Sequence, residues 1–396
     1  MNNEYNKKEG SKERLIGIGI VAGVIVLTLV IVMLFNGGNS KMDTIYVATG
    51  GGKEDFLADE EIAKILKKDY KIDVVYDSWS NGKTVTAPLV REYVHEGNSN
   101  VSEYDWSVNN DSCSKYDALF TSDERFYDYY KLAPKDGEAA RYTVLDGGLT
   151  LNTPIVIYSW GEVVDALIKE KIVTLKDGVY YITDMDKLIN YILDGKKWSD
   201  IGLDNLYGNV NIASTDPVSS SPGATYYGLL LSILSESQVT TENINSNLPK
   251  LKDFYIKSGY MNNTPADLFE RYLKTGMGGE PMIVDYEKSM IDFANSSPLA
   301  FEQVKDDIRV LYPTPTIWNS HCFTVFSENG QKLYDALNDP EIGQIAWERY
   351  GFRTGITGGS YDVSKFGIGV PQSISSTVTS LKMDTYNKLI DYLKNN

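Results

Sequence analysis

Residues 214–234 read STDPVSSSPGATYYGLLLSIL. Six Ser or Thr side chains fall between Ser214 and Thr225, and the run from Leu229 to Leu234 is then almost wholly apolar. The apolar run predicts a buried helix. The segment VNIAS just before it, residues 210–214, predicts a strand that feeds directly into the hydroxyl-rich turn. A helix N-terminus offers free N–H groups and about half a positive charge, so such a turn can hold an anion without Lys or Arg. A Ser-rich turn is also an ordinary solvated loop with helix caps, and the rest of the chain has to separate the two readings.

Outward from this stretch, strand and helix signals alternate. TIYVA at 44–48 predicts a strand, followed by the triple glycine 50–52 and a helix with Ala58, Ile62, Ile65 and Leu66 on one face. KIDVVYDSW and KYDALF predict two more strands, the second ending in the loop Thr121-Ser122-Asp123. The pattern restarts with a strand at Pro154–Tyr158, a helix at Gly161–Lys169 and a hairpin turning at Asp177-Gly178. A capped helix follows, starting at Thr183 or Asp184 and stopping before Gly195. EPMIVDYEKSMIDFA predicts a strand passing into a helix at Asp285-Tyr286-Glu287. DIRVLYPTPTIW predicts a strand broken at Pro313 and Pro315, and a helix closes the chain. Such alternation predicts an α/β protein with a parallel sheet covered by helices.

The 396 residues suffice for two domains with real cores, and 42% hydrophobic with 23% charged residues marks a globular chain. A net charge of -16 argues against nucleic acid, which requires a basic face. Leu15–Phe35, LIGIGIVAGVIVLTLVIVMLF, is 21 residues without a charge. That length crosses a bilayer core of about 30 Å. Lys7, Lys8, Lys12 and Arg14 precede it, which sets residues 1–14 in the cytoplasm and the C-terminal part outside the cell. A single-pass cell-membrane protein is therefore expected, with an uncleaved anchor at 15–35 and a linker at 36–43; a signal peptide is the alternative. Cys113 and Cys322 fall on the outer side, where a disulfide is permitted but not required.

Chemistry for catalysis is not evident. The two histidines, His95 and His321, stand in no metal-binding pattern, so no metal or cofactor is expected. GGGKED lacks the hydroxyl residue after its lysine, NGKT lacks the earlier glycine of a phosphate loop, and no G-x-S-x-G elbow is present. With 54 carboxylates, pairing any two as acid and base would be arbitrary, and the chain is not expected to be an enzyme.

In open α/β sheets ligands sit beyond the carboxyl ends of the strands. Here those positions carry Thr49–Gly52, Ser80–Gly82, Thr121-Ser122 and Ser214–Thr225, all small and hydrogen-bonding. The order of elements resembles the extracellular solute-binding proteins of ABC-type importers, of the type 2 periplasmic-binding-protein fold. The stretches that carry it are IYVATGGGKEDF, YDALFTSD, STDPVSSSPGATYYGLLL and PMIVDYEKSMIDFA, with NTPIVIYSWGEVVDALIKEKIV and RVLYPTPTIWNSHCFTVF as the two crossings between lobes. Together they span residues 44 to 390.

The resemblance implies a two-lobed α/β fold behind the transmembrane helix, with residues 44–150 and 311–396 in lobe I, 151–310 in lobe II, and a hinge near Asn152 and Thr314. TDPVSSSPGATY is similar to the D-P-x-x-S-x-x-G pattern of members that bind oxyanions or ferric iron. It implies ligand contacts from Ser219, Ser221, Gly223 and Thr225 on lobe II, from Gly51, Gly52, Ser80 and Ser122 on lobe I, and from Tyr286. The function implied is capture of a small-molecule or anion ligand, with an oxyanion first, for uptake through an ABC permease. Ferric iron on Tyr226-Tyr227 and a stacked sugar are further possibilities; a cell-surface sensor or scaffold that binds a protein partner is the alternative. Asp216 would repel an anion unless it caps a backbone N–H facing away, and an anchor that stays in the membrane sets this chain apart from released members.

Overall fold

The computed structural model describes residues 42–49, 52–78, 116–122, 124–131, 143–236, 238–241, 243–259, 261–354, 362–363 and 369–395. Leu15–Phe35 lies outside them; among the described residues no helix is long and apolar enough to cross a membrane. Residues Thr44–Asn396 form one compact unit.

Its strands are β1 (Asp43–Thr49), β2 (Ile72–Ser78), β3 (Ala118–Thr121), β4 (Asp146–Trp160), β5 (Val173–Lys176), β6 (Val179–Ile182), β7 (Met282–Tyr286), β8 (Ile308–Pro313), β9 (Thr316–Val325), β10 (Arg353–Thr354) and β11 (Thr377–Val378). The helices are α1 (Glu54–Ala58), α2 (Glu60–Ile65), α3 (Glu124–Tyr130), α4 (Gly161–Lys169), α5 (Met185–Leu193), α6 (Ser221–Ser235), α7 (Leu248–Lys257), α8 (Pro265–Gly279), α9 (Glu287–Ser296), α10 (Pro298–Val304), α11 (Glu328–Ala336), α12 (Pro340–Tyr350) and α13 (Met383–Asn395).

The strands run in the order β2-β1-β3-β9-β4-β8-β6-β5. The parallel sheet expected from the alternation is in fact mixed. β1 and β3 are parallel, as are β6 and β8, but β9 runs antiparallel to β3, and β4 antiparallel to β7, β8 and β9. The reason lies in β4, whose 15 residues change partners along their length. Asp146 to Pro154 pair with β9, whereas Ile155 to Trp160 pair with β7 and β8. The switch lies just past Asn152.

Side-chain period follows the switch. Leu151 enters a core with Ile45, Val47, Phe56, Phe120 and Ala346. Ile155 and Ile157 enter a second core with Leu188, Leu230 and Leu251, and Val156 and Tyr158 enter a third with Tyr272 and Ile283. Both faces of this half of β4 are buried, as an interior strand with period-2 side chains requires.

Local chemistry sets the ends of the elements. Asp177 and Gly178 have φ of 51° and 79°, the left-handed pair that a tight β5–β6 turn needs. Asp184 caps α5 by accepting from Lys187 N, and Gly195 follows with φ of 67°. The single helix expected after β1 is broken at Asp59, whose carboxylate accepts from Glu61 N and Ile62 N and starts α2 afresh; Ala58 is exposed. The strand expected at 210–214 is reduced to a bridge between Ala213 and Ile283.

Candidate functional site

The hydroxyl-rich turn divides into two parts. Ser214, Thr215 and Ser220 are buried and build the turn itself: Ser214 Oγ donates to the Thr215 carbonyl at 3.0 Å, and Ser220 Oγ to Thr215 Oγ1 at 2.9 Å. Asp216 Oδ1 accepts from Val218 N at 3.0 Å and so caps a backbone N–H within the turn. Gly223 is fixed by packing, since a Cβ there would stand 2.2 Å from the Thr215 carbonyl oxygen. Ser219 is exposed, while Ser221 and Thr225 are half-buried.

Thr225 faces a small pocket. Ala224 and Gly228 of α6, Trp318 and Ser320 of β9, Glu124 and Arg125 of α3, and Ser380 line it with Thr225. Ser122, half-buried at the end of β3, is two residues from Glu124. Arg125 is buried, with its guanidinium 3.5 Å from the centre of the Tyr386 ring on α13. Asn152 lies directly opposite Ser320 in the β4–β9 ladder, which sets the two side chains on one face. It is 7% exposed, and its Oδ1 accepts no hydrogen bond.

The other face of the crossing strands meets the β1 loop. Lys53, which precedes α1, is fully buried with Nζ 3.2 Å from His321 Nδ1. Burial, opposed by Glu54 and reinforced by Lys288, lowers its pKa to about 7. Burial and the two lysines hold His321 well below its ordinary value. His321 Nε2 lies 2.9 Å from Asn319 Nδ2. With that amide donating, the ring proton of a neutral His321 sits on Nδ1, on the side of Lys53.

A Cβ on Gly52 would come within 4.0 Å of Lys288 Nζ, so the β1 loop and the β7–α9 junction are neighbours. Lys288 pairs with Asp292, and its backbone N–H donates to Thr153 Oγ1 at 3.2 Å. Tyr286 itself packs among apolar side chains, and its carbonyl accepts from Tyr158 Oη. Beside it Glu287 receives two hydrogen bonds from Arg353, at 2.7 and 2.9 Å, and one from Tyr312 Oη at 2.8 Å.

The residues expected from the sequence therefore fall into three groups. Thr225, with Ser122 close by, meets the pocket beside β9; Gly52 meets Lys288 on the other face; Ser219 and Ser221 stand at the start of α6. Gly51 and Ser80 lie outside the described residues. Tyr226 and Tyr227 are both fully buried, with phenol pKa values raised by burial, and neither presents a phenolate for ferric iron. Among the described residues no group of His, Cys, Asp or Glu could hold a metal ion. Cys322 is buried in β9, and Cys113 lies outside the described residues.

Lys53, Arg125, Asn319 and Ser320 are not expected from the sequence, which offers Asn152 only as a hinge position and His321 only as a histidine in no metal-binding pattern. Arg125 was the one with a local signal, two residues past the Ser122-Asp123 loop.

A mixed α/β sheet crossed by two long strands, with strand-end loops from both halves gathered on those strands, is the fold of the extracellular solute-binding proteins of ABC-type importers. No family model matches the chain, and no curated protein matches it either. Solved structures do. Apo ferric ion-binding protein A from Pasteurella haemolytica aligns with a TM-score of 0.53 at 13% identity, over 89% of this chain and 96% of its own. A putative extracellular solute-binding protein from Bordetella parapertussis aligns with a TM-score of 0.56 at 12% identity, over 89% and 96%. An ABC transporter structure from Clostridium perfringens gives 0.51 at 12% identity, over 88% and 96%.

Proposed function

We propose that this chain is a membrane-anchored, extracytoplasmic solute-binding protein. It captures a small ligand between two lobes, holds it by an anionic oxygen group, and delivers it to an ABC-type permease without catalysing a reaction. One lobe comprises residues 44–150 and 311–396 and the other 151–310, with α13 resting on the second through Leu389 and Leu393, which share a core with Leu188 and Leu251. The anchor is Leu15–Phe35, supported by its uncharged length and the basic residues before it.

The observation that carries this reading is the convergence on β9. Arg125 from one half and Thr225 from the other reach the same pocket beside Ser320, and Gly52 and Lys288 approach each other on the opposite face. Arg125 supplies the charge that the hydroxyls of the turn lack. Closure of two lobes on such a point is a hinge motion.

The test is a thermal-shift screen of the full-length protein in detergent against molybdate, tungstate, sulfate, phosphate, ferric citrate, sugars and amino acids. A ligand at 100 times its Kd stabilises by about 2.7 kcal/mol, a rise of several degrees in the midpoint. Silence across the panel would defeat the reading and favour a cell-surface sensor or scaffold that contacts another protein.

A further inference from the structure

The connection from Pro371 to Leu381, PQSISSTVTSL, carries no charged side chain. Its backbone is held at both ends and in the middle. Arg353 donates to the Pro371 and Gln372 carbonyls at 2.7 and 3.1 Å, and Tyr386 N of α13 donates to the Lys382 carbonyl at 2.9 Å. Between these points the Ser376 carbonyl accepts from Thr316 N at 3.0 Å, and β11 pairs in parallel with β9, Thr377 opposite Thr316 and Val378 opposite Ile317. Ile374 and Val378 pack against the core. The segment is therefore a strand fixed in place before any partner arrives, which lowers the ordering cost of pairing with it.

Its second edge is open. Among the described residues β9 is the one strand that β11 pairs with. In this register the backbone groups of Ser376 and Val378 point at β9, so those of Thr377 and Thr379 point away from it, and both threonines are exposed. An unpaired row of N–H and C=O groups invites another strand, and sheet edges are usually blunted by charged side chains for that reason. None stands on this edge. Thr377 to Leu381 instead line a groove of about 1210 Å³, together with Met185 at the start of α5, Ile233 near the end of α6, and Val239.

We propose that this groove docks an extended, lysine- or arginine-bearing segment of a partner protein, which adds as a strand to the free edge of β11. The strand edge supplies the backbone hydrogen bonds, and the charge around it selects the partner. Glu124, Asp128, Asp184, Asp186, Glu236 and Asp384 line the groove against a single basic residue, Lys382. A second copy of this chain, with a net charge of -16, is repelled by such a lining. A small cationic solute has no use for the strand edge. The proposal goes beyond solute capture and does not depend on it.

The experiment is fluorescence anisotropy with the full-length protein in detergent, at about 0.15 M salt to screen long-range attraction. Three labelled peptides are compared. One alternates lysine with threonine, one alternates glutamate with threonine, and the third is the lysine peptide with every backbone amide N-methylated, which keeps the charge and cannot pair as a strand. The lysine peptide should bind about 10-fold or more tightly than either of the others. Thr377→Pro removes an outward N–H and leaves the groups facing β9 in place, and it should weaken the lysine peptide about 10-fold. Asp186→Asn and Glu236→Gln, both at exposed positions, should each weaken it about 3-fold with the melting temperature unchanged. The N-methylated peptide binding the wild type as tightly as its parent would reduce the effect to charge and overturn strand addition, whether or not Thr377→Pro folds. The glutamate peptide binding equally would overturn the basic partner. Silence toward all three would overturn the docking surface and leave solute capture to its own thermal-shift test.

Discussion

Lys53→Met isolates the cost of a charge buried where β1 meets β9. Lys53 has no exposed surface, and its pKa falls from 10.5 to about 7, chiefly through burial. In the unfolded chain the ammonium holds its proton up to about pH 10.4. Between these values the unfolded state binds one proton more than the folded state, so stability rises with pH across that window. At 1.36 kcal/mol per unit the full effect is about 5 kcal/mol, and the part gained between pH 7 and 9 is about 2 kcal/mol.

For a unit the size of Thr44–Asn396 that gain corresponds to a melting-temperature rise of about 3 °C. Methionine fills a similar volume and carries no charge, so Lys53→Met should melt higher than the wild type at pH 7 and show no rise toward pH 9. Thermal melts followed by circular dichroism at pH 7, 8 and 9 decide the matter. His321, held below 6.5, titrates below this window, and Asp285, raised to about 7, has largely lost its proton by pH 8, so the slope from pH 8 to 9 belongs to Lys53. Equal slopes in the variant and the wild type would refute the account.

Three further outcomes follow from groups outside the pocket. Asp285 is buried, and burial raises its pKa to about 7 against the hydrogen bond it accepts from Tyr286 N. Its folded state therefore binds the extra proton between pH 3.8 and 7 and loses stability as pH rises; Asp285→Asn should stabilise by up to about 4 kcal/mol at pH 7.5 and flatten that decline in urea titrations. Glu287→Gln leaves the buried Arg353 guanidinium without its bidentate carboxylate, and urea unfolding should show a loss of about 3–5 kcal/mol. Gly223→Ala forces a Cβ to within 2.2 Å of the Thr215 carbonyl oxygen, and it should lower stability by about 1–3 kcal/mol because backbone, not a flexible side chain, must give way.

Much of the fold is legible where the signal is local. The Asp177-Gly178 hairpin, the Asp184 cap and the β7–α9 junction each rest on residues adjacent in sequence, and each forms as the local chemistry dictates. The sheet's mixed direction is not local. A run of apolar residues such as Pro154–Tyr158 shows that a strand exists, but only pairing with β9, β7 and β8 fixes its direction and its length. The site divides along the same line. The hydroxyls of residues 214–225 stand out in sequence, yet half of them close their own turn. Lys53 and His321, 268 residues apart, become a pair only when β9 lies across the β1 loop.

β9 explains why one strand serves two chemistries. Successive side chains point to opposite faces, so His321, bonded to Asn319, turns toward Lys53, while Ser320, paired with Asn152 in the ladder, lies on the other face and lines the pocket with Arg125 and Thr225. On the first face burial lowers the pKa of Lys53 and of His321 and so weakens the positive charge they carry near neutral pH. On the second face Arg125 keeps its charge at any accessible pH, since a guanidinium does not titrate there. The two faces of β9 thus differ in charge, with Glu124 and Arg125, adjacent at the start of α3, both lining the pocket on the second.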